Sequence, residues 1–321
     1  MTKHYLSLLY TFLVLIVPNS ICAKPTDALV RELSNSVLRV KVKLPNGNMG
    51  LGSSVVISKN QVITNCHVVT DATSVEVIVN GESHAATAIK ADWHHDLCML
   101  TVDNLNLPVV KFGASKNLQY EASLFTIGYP DETDAPVNTF GEVKGLFPMD
   151  DSVIIRASSA FKLGSSGGGA FDDEGNLVGI ITLKSRGENP YYYYLPVEWV
   201  QALMQKPAQA LGKKSEKPFW ALHATERPYF MQVVKPYQTQ EWNTLLKLAT
   251  LWVQMEPDTA ESWFYLAAAE YANKDFEIAE AHFKKVLALN HQHTQASVYL
   301  EKLAQKTPNV NAPLKQVALL N

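Results

Sequence analysis

Residues 162–171 read KLGSSGGGAF. Three consecutive glycines, Gly167, Gly168 and Gly169, follow Ser166, with apolar residues on both flanks. Glycine inside a folded segment costs conformational entropy and is kept where the backbone takes positive φ or comes close to another group. Two readings fit: a flexible turn, or a tight bend that presents Ser166 as a nucleophile with backbone N–H groups beside it to hold an oxyanion. A serine hydroxyl is a weak nucleophile until a base within hydrogen-bonding reach takes its proton. The second reading therefore requires a histidine and an acid elsewhere in the chain.

The chain holds nine histidines. His67 lies in VITNCHVV, at the end of a strand-like run just before a loop. Asp96 lies in WHHDLCML, ahead of an apolar run in which a buried carboxylate could face His67. His94 and His95 are alternative bases, Asp92 an alternative acid, and Ser158, Ser159 and Ser165 alternative serines. None of those serines has the Gly-x-Ser-Gly-Gly context of Ser166. Gly164 to Gly168 also satisfies G-x-S-x-G, but that elbow needs a strand, the serine, then a helix, with the histidine downstream. Here Ala170 to Leu183 reads strand, turn, strand, so the elbow fits poorly. His291-x-His293 has no cysteine or carboxylate companion and reads as a solvated turn, not a metal site.

Around these residues the pattern is β. Short Val/Ile/Leu-rich runs (37–42, 54–57, 62–64, 75–79, 98–102, 124–127, 153–156, 177–183) are separated by turn signals such as Pro45-Asn46-Gly47 and Asn80-Gly81. Many short strands at this spacing predict a barrel or sandwich. Tyr191 to Tyr194 read as alternating positions on an edge strand. Residues 206–218, KPAQALGKKSEKP, read as a linker. Beyond it the period becomes helical from Trp242 to Leu303. At 321 residues there is room for two domains. With 47% hydrophobic and 18% charged residues the chain is globular, and a net charge of −3 with no basic block gives nucleic-acid binding no support. Lys3 and His4 precede a largely apolar run of thirteen residues, Tyr5 to Val17, and Ala23 offers a cleavage point. Residues 1–23 thus predict a removable export signal, too short to span a bilayer, and a periplasmic or secreted protein free of the membrane afterwards.

The chain order His67, Asp96, Ser166 matches the chymotrypsin arrangement and no other common triad order. TNCHVV, HDLCML, TIGYP and GSSGGGAFDDEGNLVGIIT resemble the trypsin-like domain of the HtrA/DegP family in the chymotrypsin clan, from about Gly52 to Val200. The resemblance implies a double β-barrel over residues 24–205 and a serine endopeptidase acting on protein or peptide without metal or cofactor. It implies Ser166 as nucleophile, His67 as general base and acid, and Asp96 as the group that orients the ring. The N–H groups of Gly164 and Ser166 would form the oxyanion hole. Ala160 and Phe161, with Thr182 and Leu183, would line the S1 pocket, with no carboxylate for a basic P1 residue. Were His67 and Asp96 bonded, Cys66 and Cys98 would lie on neighbouring segments, and an exported chain could join them as a disulfide. Residues 260–290 resemble a tetratricopeptide repeat at Pro257, Trp263, Leu266, Ala267, Ala279 and Phe283, with corresponding turns 34 residues apart at Glu256 and Asn290. The expectation is a multidomain β + α protein: signal (1–23), chymotrypsin-like double β-barrel (24–205), linker (206–218), α-helical hairpin module of tetratricopeptide type (219–310) serving a protein partner, and a tail (311–321). The alternative is a catalytically idle protease-fold scaffold.

Overall fold

The computed structural model describes residues 25–131, 133–209 and 216–306. The expected export signal, the tail and the middle of the expected linker lie outside the described residues.

After helix α1 (Asp27–Ser34), six strands close a first barrel: β1 (Val37–Lys43), β2 (Met49–Ser58), β3 (Gln61–Asn65), β4 (Ser74–Val79), β5 (Glu82–Asp92) and β6 (Leu97–Val102). They pair antiparallel in the order β1-β2-β3-β6-β5-β4. The four-residue helix α2 (Cys66–Val69) interrupts the chain after β3. A second closed barrel, in the order β10-β11-β12-β9-β8-β7, is built from β7 (Ser123–Gly128), β8 (Val137–Met149), β9 (Ser152–Ala157), β10 (Gly169–Phe171), β11 (Leu177–Lys184) and β12 (Tyr192–Pro196). Closure leaves no edge strand. This corrects the reading of Tyr191–Tyr194, because β12 is paired with both β11 and β9. Its alternation turns Tyr193 outward onto the helices, against Phe230, and Tyr194 inward, where its hydroxyl bonds to Ser159.

Helix α3 (Val197–Met204) closes the barrel half. Residues 207–209 are held rather than loose: Gln209 and Ile89 of β5 exchange backbone hydrogen bonds of 2.8 and 2.9 Å. After a 3-10 turn at Phe219–Ala221 come the short helices α4 (Tyr229–Gln232) and α5 (Val234–Gln238). Four longer helices follow: α6 (Trp242–Met255), α7 (Ala260–Ala272), α8 (Phe276–Leu289) and α9 (Thr294–Lys306). Connections this short fold successive helices back on one another. Ala267 and Ala279 are fully buried, and Phe264 packs on Phe283 between α7 and α8. Trp263 lies at the margin of that interface, its Nε1 donating to the Pro257 carbonyl at 2.7 Å.

The helices do not stand apart from the barrels. One core runs from the second barrel into the helical half: Phe147 of β8 stacks on Phe230 at 4.5 Å and tilts toward Trp252 of α6. Arg156 of β9, almost wholly buried, donates to the Tyr265 hydroxyl of α7 at 3.1 Å. His293 also departs from its reading as part of a solvated turn. It is fully buried, stacks between Tyr120 and Phe264, and accepts the Ala296 N–H at the start of α9.

Candidate active site

The three residues singled out from the sequence come from three different connections. His67 sits in α2, where the chain leaves β3; Asp96 lies in the turn before β6; Ser166 lies in the loop before β10 of the other barrel. Ladder pairing of β3 with β6 sets Asn65 opposite Leu97 and so brings the first two together. Asp96 has φ of +59°, a left-handed conformation that aspartate tolerates better than most residues. That turn aims its carbonyl at the Cys66 N–H, 3.0 Å away, and at Asn65 Nδ2, 3.1 Å away. Its carboxylate points the other way. Oδ1 accepts the His67 backbone N–H at 2.8 Å, and Oδ2 lies 2.6 Å from His67 Nδ1. Asp96 is 1% exposed, whereas the His67 ring is about a third exposed, leaving Nε2 free to work.

Cys66 and Cys98 flank this pair and are joined by a disulfide, with Cα atoms 4.8 Å apart. It ties the base of α2 to β6, across the two segments that carry His67 and Asp96.

A third donor reaches Asp96 from a place the sequence does not advertise. Trp220, in the 3-10 turn beyond the linker, donates from Nε1 to Asp96 Oδ2 at 3.1 Å. Its ring meets His67 edge-on, centroids 5.6 Å apart and planes at 90°. The neighbouring Phe219 is buried, and its N–H donates to the His94 carbonyl at 3.0 Å. The turn is thus fastened to the loop that carries Asp96. The available signal was compositional: an aromatic pair after a polar linker, outside any helical period, must find a hydrophobic site elsewhere.

The loop at Ser166 explains its glycines. Gly164 has φ of +89°, and a Cβ there would lie 2.2 Å from Asp131 Oδ1. Gly167 also has φ of +89°, and a Cβ would fall 2.1 Å from the Ser53 carbonyl of the first barrel. The Ser166 carbonyl accepts the Ser53 N–H at 2.7 Å, so the loop is pinned across the barrel junction. The Ser165 N–H is occupied by the Lys162 carbonyl and that of Gly167 by Ile181. Among the described residues the N–H groups of Gly164 and Ser166 have no acceptor. The Ser166 hydroxyl donates to the Thr182 carbonyl at 3.3 Å, and among the described residues no hydrogen bond joins it to His67.

Beside this loop is a cavity of about 380 Å³ lined by Ala160, Phe161, Ser165, Ile181, Lys184 and Tyr192, among others. Ala160 and Phe161, two of the four residues expected to form a substrate pocket, lie on its wall. Thr182 and Leu183 do not line it. Thr182 is turned to the first barrel, where its hydroxyl accepts from Asn65 Nδ2 at 3.0 Å, and Leu183 faces a different cleft. The pairing of β11 with β12 shifts register between Ile181 and Leu183, which breaks the simple alternation, and Ile181 and Lys184 form this wall instead. No carboxylate of a described residue lines the cavity.

The alternative base and acid are used elsewhere. His95 sits between Asp92 Oδ2 at 3.1 Å and Asp150 Oδ2 at 3.0 Å and stacks on Trp199. Burial alone would lower its pKa, but the two carboxylates outweigh it and raise it. Burial would raise the Asp92 pKa, yet bonds from His95 and Lys206 hold it well below the usual carboxylate range. His94, His95 and Asp150 bring three potential ligand atoms within 4.8 Å of one another, a grouping that the ion pairs account for.

Parts of the chain are similar to known proteins. Residues 52–180 match the model of the trypsin-like peptidase domain. The chain is 35% identical over 157 residues to a Pseudomonas putida protein named "Probable periplasmic serine endoprotease DegP-like", covering 46% of this chain and 33% of that one. A protein of the same name from Ectopseudomonas mendocina is 36% identical over 172 residues, covering 51% and 36%. The chain thus spans about a third of the length of these relatives. Among solved structures, the HtrA-type protease AlgW with a tripeptide superposes with a TM-score of 0.51 at 25% identity, covering 56% of this chain and 63% of that one. A serine endoprotease from Yersinia pestis gives 0.50 at 26%, covering 57% and 67%. The active form of a protease from M. tuberculosis gives 0.52 at 22%, covering 65% and 97%, and speaks to the fold alone.

Proposed function

We propose that this chain, which carries a trypsin-like peptidase domain of the serine protease class, is an exported endopeptidase that cleaves protein or peptide substrates through His67, Asp96 and Ser166. The observation that carries the reading is the 2.6 Å contact between His67 Nδ1 and the buried Asp96 carboxylate, made while the ring stays about a third exposed. In this reading the Ser166 hydroxyl first rotates away from the Thr182 carbonyl. His67 Nε2 takes its proton as Oγ attacks the scissile carbonyl, and Asp96 stabilises the imidazolium. The N–H groups of Gly164 and Ser166 receive the developing oxyanion, a contribution of about 3 kcal/mol per donor in such sites. His67 then protonates the leaving amine, and water hydrolyses the acyl-enzyme by the same route in reverse. Ala160 and Phe161 favour a small or medium apolar residue before the cleaved bond.

The names of the Pseudomonas putida and Ectopseudomonas mendocina relatives support a periplasmic location, and among the described residues no helix is long and apolar enough to cross a membrane. The helices from Trp242 onward are read as a tetratricopeptide-type module that carries a protein partner or supports the barrels.

The orientation of Ser166 toward Thr182 is the one observation that favours an idle scaffold. Labelling with a fluorophosphonate decides between the two readings. Wild type is expected to label and to cleave casein, and Ser166→Ala to lose labelling and about 10⁶ in kcat. A wild-type chain that neither labels nor cleaves sinks the peptidase reading.

A further inference from the structure

On the far side of β11 from the first cavity lies a second cleft, of about 530 Å³. One wall is the end of β11 and the loop after it; the other is the segment from Trp220 to Lys235, outside both barrels. The walls are tied together, since Gln238 of α5 donates to the Asn189 carbonyl at 2.7 Å. Trp220, the residue that touches Asp96 and His67, forms the end nearest the candidate catalytic pair. Lys184, the last residue of β11, lines both cavities, so the two adjoin at that end of the strand.

The charge of this cleft is one-sided. Lys184, Arg186, Arg227 and Lys235 line it, and no carboxylate does. Glu188, in the same loop, is exposed and outside the lining. None of the four cations forms an ion pair with a carboxylate among the described residues, although exposed lysines elsewhere do, such as Lys284 with Glu280 and Lys206 with Asp92. Residues 210–215 and 307–321 contain neither Asp nor Glu. Between the cations lie Trp220 and Met231, an apolar floor. Four like charges held close together repel each other until an anion neutralises them.

We propose that this cleft binds an acidic stretch of the substrate polypeptide, adjoining the residue held in the cavity beside Ser165. The proposal rests on the peptidase reading for the identity of its ligand. The helical half then contributes to selection, because Arg227 and Lys235 belong to it. A chain carrying Asp or Glu beside its cleavage site is held along β11 by contacts that a neutral chain lacks.

The test uses two labelled octapeptides with the same apolar residue at the cleaved position, one flanked by three Asp or Glu residues and the other by Asn and Gln. Anisotropy on the full-length Ser166→Ala chain measures affinity without turnover. The acidic peptide is expected to bind about tenfold tighter at low salt, the sum of several exposed ion pairs. That ratio should fall toward one at about 0.5 M salt and in the Arg186→Gln/Lys235→Gln variant, both of whose side chains are exposed and therefore safe to change. Equal affinities, or an acidic preference that survives in the double variant, overturn the proposal. Cleavage by the wild-type chain separates the two readings. Equal cleavage of both peptides leaves the peptidase intact and sinks the cleft. Discriminating binding without any cleavage leaves the cleft standing and sinks the peptidase.

Discussion

At the scale of single residues, Asp96 is the most constrained group in the candidate site. Its left-handed backbone, its burial and three donors on its carboxylate fix it in one orientation. Two of those donors belong to His67 and were foreseeable once His67 and Asp96 were paired by type and chain order. The third, from Trp220, follows from no motif, because it lies across the linker from every strand it touches. Trp220→Phe keeps an aromatic ring against His67 and deletes only the hydrogen bond. A bond to a charged acceptor contributes about 1.5–3 kcal/mol, so kcat is expected to fall roughly 10- to 100-fold with KM little changed, in steady-state assays of a neutral peptide. An unchanged kcat would reduce Trp220 to a packing residue. The same scale explains why the loop of Ser166 was legible and the wall of the neighbouring cavity only in part. A Gly-x-Ser-Gly-Gly loop is local, whereas the side of β11 facing the cavity depends on the strand's exact phase.

At the scale of elements, strands with alternating Val and Ile were legible and two long strands were not. β5 reads ESHAATAIKAD, where alanine and polar residues blur the alternation. β8 contains Gly141, Gly145 and Pro148, which imitate turns. Gly141 is there for contact, not for bending: a Cβ would lie 2.2 Å from the Ser159 nitrogen. Helix α9 begins on a residue that sequence reading left in water. Because His293 Nδ1 accepts the Ala296 N–H, the ring must stay neutral, and burial with the nearby Arg156 charge lowers its pKa to about 4. An unfolded histidine protonates near 6.5. Between those values the unfolded chain holds more protons, so stability falls as pH drops from 6.5 toward 4. The loss amounts to about 2 kcal/mol at pH 5. Melting curves at pH 7 and pH 5 should therefore separate widely for wild type and less for His293→Asn, which keeps a capping oxygen. Parallel shifts in both proteins would refute the assignment.

At the scale of the whole molecule, the two halves share a core, which no local pattern announces. The β period ends and the helical period begins as though two domains were strung on a linker, yet Phe147, Tyr193 and Phe230 pack as one body. Within it, burial raises the Glu261 carboxyl pKa while Arg156 opposes that rise. A buried charge deprived of its counterpart costs about 3–5 kcal/mol. Arg156→Met is expected to destabilise the chain by that order in urea unfolding, and Arg156→Met/Glu261→Gln by clearly less. Additive losses would show that the two groups do not interact. The turn at Phe219–Trp220 carries the larger consequence. Because the indole that donates to Asp96 arrives from beyond residue 209, the barrels taken alone would lack that contact. In the proposed reading, a partner that displaced this turn would act on the His67–Asp96 pair through the indole, at a distance from the bond being cut.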